Sequence, residues 1–121
     1  SDTEAGILFG VQGEDRKNWY NAEYKAPQNR LSIYRDNESR EPATVANKEN
    51  VTLPGGEWLK FEIEWDDGSL GGQEGDITFT VKDESGTILE QISGNNTFYI
   101  SGGIGYNNQA DVAYYDYYKT E

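Results

Sequence analysis

EWLKFEIEWDDG, residues 57–68, alternates apolar and charged side chains with a period of two. Successive side chains of an extended strand point to opposite faces, so Leu59, Phe61, Ile63 and Trp65 fall on one side and Glu62, Glu64 and Asp66 on the other. The stretch therefore predicts a half-buried strand. Its row of three carboxylates admits two readings: the acids of a glycosidase, or the wet face of an amphipathic strand.

Similar short runs recur on both sides of it, punctuated by Gly, Asn, Asp and Pro. They are GILFGVQ (6–12), NWYNAEYK (18–25), RLSIYR (30–35), PATVANK (42–48), WLKFEIEW (58–65), DITFTVKD (76–83), TILEQIS (87–93), GGIGYNN (102–108) and VAYYDYYKT (112–120). Helical periodicity is nearly absent, so the pattern is that of an all-β protein, an antiparallel two-sheet β-sandwich. PGG at 54–56, DDGS at 66–69, GGQEG at 71–75 and DESG at 83–86 supply turn chemistry, and KDESGTIL reads as a hairpin with Gly86 as its left-handed residue. A chain of 121 residues is the size of one domain with one core. It begins at Ser1 rather than Met, which leads us to expect a monomeric module excised from a larger secreted protein.

Composition narrows the chemistry. There is no cysteine and no histidine, which removes thiolate and imidazole bases, nucleophiles and zinc ligands. Carboxylates, tyrosines, amides and oxygen-liganded cations remain. Acids outnumber bases 22 to 10, for a formal charge of −12, and they are scattered rather than gathered in a tail. Nucleic acid and anionic membranes, whose phosphates need concentrated Lys and Arg, are not expected partners. Such a charge suits an extracellular, cell-surface or salt-rich setting, a halophilic source included. No run of 18 apolar residues occurs, so membrane insertion is not expected either.

Three stretches carry a family likeness. In LPGGEWLKFEIEW, Trp58 opens a strand followed by Phe61 and Ile63; SGGIGY contains Gly103, Ile104, Gly105 and Tyr106; and AYYDYY contains Tyr115, Asp116 and Tyr118. Together with the order of the remaining strands, these motifs resemble the concanavalin A-like lectin/glucanase superfamily, in particular laminin G-like and carbohydrate-binding jelly-roll modules. The resemblance implies two sheets packed face to face and a sugar bound on the concave sheet or on edge loops. It also implies a structural calcium, with Asp116 as a ligand and Asp2 and Glu4 as N-terminal candidates; acids and carbonyls supply the hard oxygens calcium takes.

The laminarinase-like branch of that superfamily carries catalytic acids as Glu-x-Asp-x-Glu, against Glu62-x-Glu64-x-Asp66 here. A retaining mechanism places two carboxyls about 5 Å apart, and the shorter Asp66 would draw its carboxyl back. Asp66 also falls in turn-forming DDGS, and no connection is long enough to build a cleft. The solvated-face reading is therefore preferred, with catalysis by these acids kept as the alternative.

Nine Tyr and three Trp stand against four Phe. Amphipathic rings stack on sugar C–H faces while planar polar groups bind hydroxyls. In EDRKNWYNAEY a polar fork and rings meet at a loop-to-strand junction, which makes Arg16, Asn18, Trp19 and Tyr20 candidate ligand contacts. Tyr114 and Tyr117, around Asp116, and Tyr106 complete the set, whereas Trp58 or Trp65 and Tyr115 are expected in the core. The function expected is thus non-catalytic recognition of a polysaccharide or other glycan, against the alternatives of an adhesion module and a glycoside hydrolase-like domain.

Overall fold

The computed structural model describes residues 4–12, 18–37, 40–54, 57–66, 75–99 and 103–109. Eight strands are formed: β1 (Glu4–Val11), β2 (Trp19–Lys25), β3 (Arg30–Asn37), β4 (Arg40–Lys48), β5 (Leu59–Asp66), β6 (Asp76–Asp83), β7 (Ile88–Asn95) and β8 (Gly103–Gln109). The ninth expected strand, 112–120, lies outside the described residues.

Every described pairing is antiparallel. β4-β3-β2-β1-β8 form one sheet and β5-β6-β7 the other. Each sheet is a meander of consecutive strands, except that β8 returns to lie beside β1. The β2–β3 connection is a 3₁₀ turn, Ala26–Gln28, closed by left-handed Asn29. The β6–β7 hairpin turns through Gly86, at φ +95°. Asp83 Oδ1 braces it by accepting from the backbone N–H groups of Ser85 and Thr87, both at 2.9 Å.

The two sheets face one another as a β-sandwich, with β7 lying against β3 and β4. Phe9, Tyr20, Ala22, Tyr24, Leu31 and Ile33 meet Ile77, Phe79, Val81 and Ile92 in one apolar cluster. Full burial of side chains of this size stabilises by about 1.5–3 kcal/mol each. β5 behaves as its period of two requires: Leu59, Phe61, Ile63 and Trp65 pack on the core while Lys60, Glu62 and Glu64 are exposed.

Gly10 shapes one end of the core. Its φ of +63° and a register shift between Phe9 and Val11 mark a β-bulge. A Cβ there would sit 3.1 Å from the Trp65 ring and 3.2 Å from that of Tyr20. The missing side chain lets the Trp65 indole pack edge-on against Phe9 and Tyr20, at 5.6 and 5.8 Å between centroids.

Candidate functional site: an arginine and aromatic rim

At the end of the sandwich where β2 begins and β3 ends, the segment following β7 folds across both strands. Its anchor is Tyr99, which is buried and packs edge-on against Tyr20. The Tyr99 hydroxyl donates to the Asp36 carbonyl at 2.8 Å and lies 3.4 Å from Asn18 Oδ1, while the Asn37 amide donates to it at 3.5 Å. Tyr20 holds the same segment from below. Its hydroxyl donates to Asn96 Oδ1 at 2.6 Å and accepts from the Tyr99 N–H at 3.1 Å. Asn96 Oδ1 in turn accepts from the Phe98 N–H at 3.0 Å.

These bonds present Phe98 to solvent, 44% exposed, with the Arg35 guanidinium carbon 4.2 Å above its ring centroid. On the opposite face of the sheet, Trp19 donates its indole N–H to Asp36 Oδ2 at 3.2 Å. The rim thus combines a solvent-facing ring, a planar guanidinium and the amides of Asn18 and Asn37 on a hydrogen-bonded frame. Rings and planar polar groups of this kind recognise polyhydroxylated ligands.

No family model, curated protein or solved structure matches this chain.

One of the candidates read from the sequence, Asn18, lies on this rim; Trp19, opposite Asp36, has the outward phase of Asn21 and Glu23. Tyr20 is corrected: it is 0% exposed and makes part of the core, so it holds the rim from beneath and cannot touch a ligand. Tyr20, Ala22 and Tyr24 share one phase of β2, and that phase points inward. Burial raises the Tyr20 pKa above the ordinary tyrosine value, which keeps the hydroxyl protonated and able to donate. Arg16, Tyr114, Tyr117, Asp116 and Asp2 lie outside the described residues. Tyr106 stands on β8 opposite Ile7, and Glu4 on β1 opposite Lys25 and Gln109. Among the described residues no group of three or more acidic side chains comes together that could hold a cation.

Arg35 and Phe98 were missed by the sequence reading. The signal present was modest: an arginine ending an otherwise apolar strand phase, Leu31-x-Ile33-x-Arg35, and a Phe beside turn-forming Asn residues.

The acid row occupies a different surface. Glu62 and Glu64 are exposed on the outer face of the three-stranded sheet, opposite Thr80 and Thr78. Glu62 pairs with Lys82 at 3.0 Å. Threonines and an ammonium next to the row describe a solvated strand face, as preferred from the sequence. Of Trp58 and Trp65, one of which was expected in the core, Trp65 takes that place and Trp58 is 50% exposed. It shares the phase of Lys60 and Glu62, while Trp65, on the other phase, packs on the core. With Glu57, Asp83, Glu84 and Ser85, Trp58 lines an open concavity of about 410 Å³.

The outer face of the five-stranded sheet holds a buried polar network. Asn21 and Glu23 are each 2% exposed although they point away from the core. The Asn21 amide donates to the Tyr34 hydroxyl at 2.7 Å, and Lys25 stands 3.4 Å from Glu23. Burial, and then the charges of Glu23 and Asp36, push the Tyr34 pKa well above the tyrosine range. The network ties β2 to β3 directly behind the rim.

Proposed function

We propose that this chain is a non-catalytic carbohydrate-binding β-sandwich of the concanavalin A-like, jelly-roll kind, working at the cell surface or outside the cell. It recognises a polysaccharide through the rim formed by Arg35 and Phe98 with the Asn18 and Asn37 amides. The observation that carries this reading is the half-exposed Phe98 ring under the Arg35 guanidinium. What distinguishes Phe98 from the other exposed apolar side chains, Trp58 and Ile88, is the guanidinium over its ring and the hydrogen-bonded frame beneath it. The frame beneath it is already hydrogen-bonded, which lowers the entropy lost when a sugar binds. From the resemblance the reading also takes a structural calcium at Asp116, with Asp2 or Glu4; a Tm that rises with calcium and falls back with a chelator is the expected result.

The test is a thermal-shift and calorimetric screen against soluble plant, algal and microbial polysaccharides, with Phe98→Ala and Trp58→Ala measured in parallel. A ligand that binds only the folded state raises Tm by mass action. Phe98→Ala is expected to weaken binding roughly tenfold, the worth of one ring contact, and Trp58→Ala to leave it unchanged. Loss with Trp58→Ala alone would move the site to the concavity that Trp58 lines. A panel with no response would replace this reading with that of an adhesion module.

A further inference from the structure

We propose that Arg35 makes the rim selective for a carboxylate-bearing sugar unit, a uronic acid, over the neutral sugar of the same linkage. This rests on the carbohydrate-binding reading and adds the ligand's class to it.

In a chain with 22 acids and 10 bases, a cation finds a carboxylate easily. Lys25 stands 3.4 Å from Glu23, Lys48 2.6 Å from Glu90 and Lys82 3.0 Å from Glu62. Arg30, Lys60 and Arg35 make no such ion pair among the described residues, and the Arg35 guanidinium lies on the Phe98 ring. Its Nε, like that of Arg30, is buried with no hydrogen-bond acceptor. A charged group short of acceptors is costly, and a ligand carboxylate would meet its terminal Nη groups rather than this Nε.

The geometry favours a planar anion. Stacking uses the flat face of a guanidinium, whereas its N–H groups donate in the plane, so the contact with Phe98 does not occupy the pair of terminal Nη donors. A carboxylate matches that fork with two parallel charge-assisted bonds, which a single hydroxyl cannot do. Phe98 is fixed by its N–H bond to Asn96 Oδ1, and Asn96 by Tyr20, so the guanidinium is supported from beneath. Asp36, next to Arg35 in the chain, has the opposite phase, and its Oδ2 accepts the Trp19 indole N–H. The formal charge of −12 opposes an acidic ligand at long range. At physiological ionic strength that repulsion is screened beyond about 8 Å, whereas the contact pair is not.

The experiment is isothermal calorimetry with a uronic-acid oligosaccharide and with the same oligosaccharide after reduction of its carboxyls to alcohols. The wild type is expected to bind the acidic form about tenfold more tightly or better. Arg35→Gln should bring the acidic form down to the affinity of the neutral one. Arg35→Lys, which keeps the charge but loses the planar fork, should fall between them. Equal wild-type binding of both forms, or tighter binding of the neutral one, overturns the proposal while the carbohydrate reading stands. Retention of the acidic preference by Arg35→Gln also overturns it. The wild-type comparison decides even if the glutamine variant misfolds. If neither oligosaccharide nor any polysaccharide of the wider panel binds, both readings fall together.

Discussion

Tyr20→Phe isolates the clasp that holds the rim. The ring stays in place, between Phe9 at 5.2 Å and Tyr99 at 5.4 Å between centroids, so little apolar packing is lost. What disappears is one hydroxyl that gives a hydrogen bond to Asn96 Oδ1 and takes one from the Tyr99 N–H. Asn96 Oδ1 keeps a donor in the Phe98 N–H. The Tyr99 N–H loses its acceptor inside a site where Tyr20 is fully buried. An orphaned buried donor costs about 1–3 kcal/mol. For 121 residues, an unfolding entropy of about 2.1 cal/mol/K per residue sums to roughly 250 cal/mol/K, so Tm should fall by about 4–12 °C. Calorimetry or circular dichroism measures this directly. Tyr24→Phe is the control: its hydroxyl also accepts a backbone N–H, that of Leu53 at 3.2 Å, but it lies away from the rim. Both variants should lose stability, and only Tyr20→Phe should also lower ligand affinity, because it unties Asn96 and with it Phe98. A Tyr20→Phe protein melting within about 1 °C of the wild type would refute the reasoning, since the clasp would then carry no net energy.

Two further outcomes follow from other parts of the sandwich. Gly6→Ala should destabilise by about 1–3 kcal/mol, because a Cβ at Gly6 would stand 2.7 Å from the Ala22 carbonyl oxygen and 2.9 Å from Asn21 Oδ1, forcing β1 and β2 apart; an unchanged denaturation midpoint would contradict this. Tyr34 keeps its proton in the folded protein above the pH at which the unfolded chain gives it up. Its contribution is therefore complete below about pH 10 and lost as pH rises further. Tyr34→Phe should flatten the decline of Tm with pH on that side, and identical slopes for the two proteins would show that the hydroxyl is not buried as described.

How much of this was legible in the sequence depends on the range of the physics involved. The strands were legible because burial of one face imposes a period of two wherever it acts, and Leu59, Phe61, Ile63 and Trp65 display it without interruption. The same rule, applied strictly, also assigns Tyr20 inward with Ala22 and Tyr24, and chooses Trp65 over Trp58 for the core; Tyr20 was read by chemical type rather than by phase. Asn21 and Glu23 obey the phase rule and are still buried, because what lies over the outer face of a sheet is set by tertiary structure and leaves no local trace. Arg35 and Phe98 are a harder case, since β3 and the segment after β7 meet only through the way the two sheets are stacked.

That last pairing explains why the rim sits where it does. In the core phase of β3, Leu31 and Ile33 are fully buried, and Arg35 continues the same phase to the point where the sandwich ends. A guanidinium cannot follow two aliphatic side chains into the core without a large desolvation cost. At the open end it escapes that cost only in part: its Nε is buried, and a ring rather than a carboxylate covers it. An apolar residue at 35 would have closed the core, and an acidic residue at 98 would have paired the charge. With neither residue present, the Tyr20, Asn96 and Tyr99 bonds hold the phenylalanine against the arginine at the open end of the core.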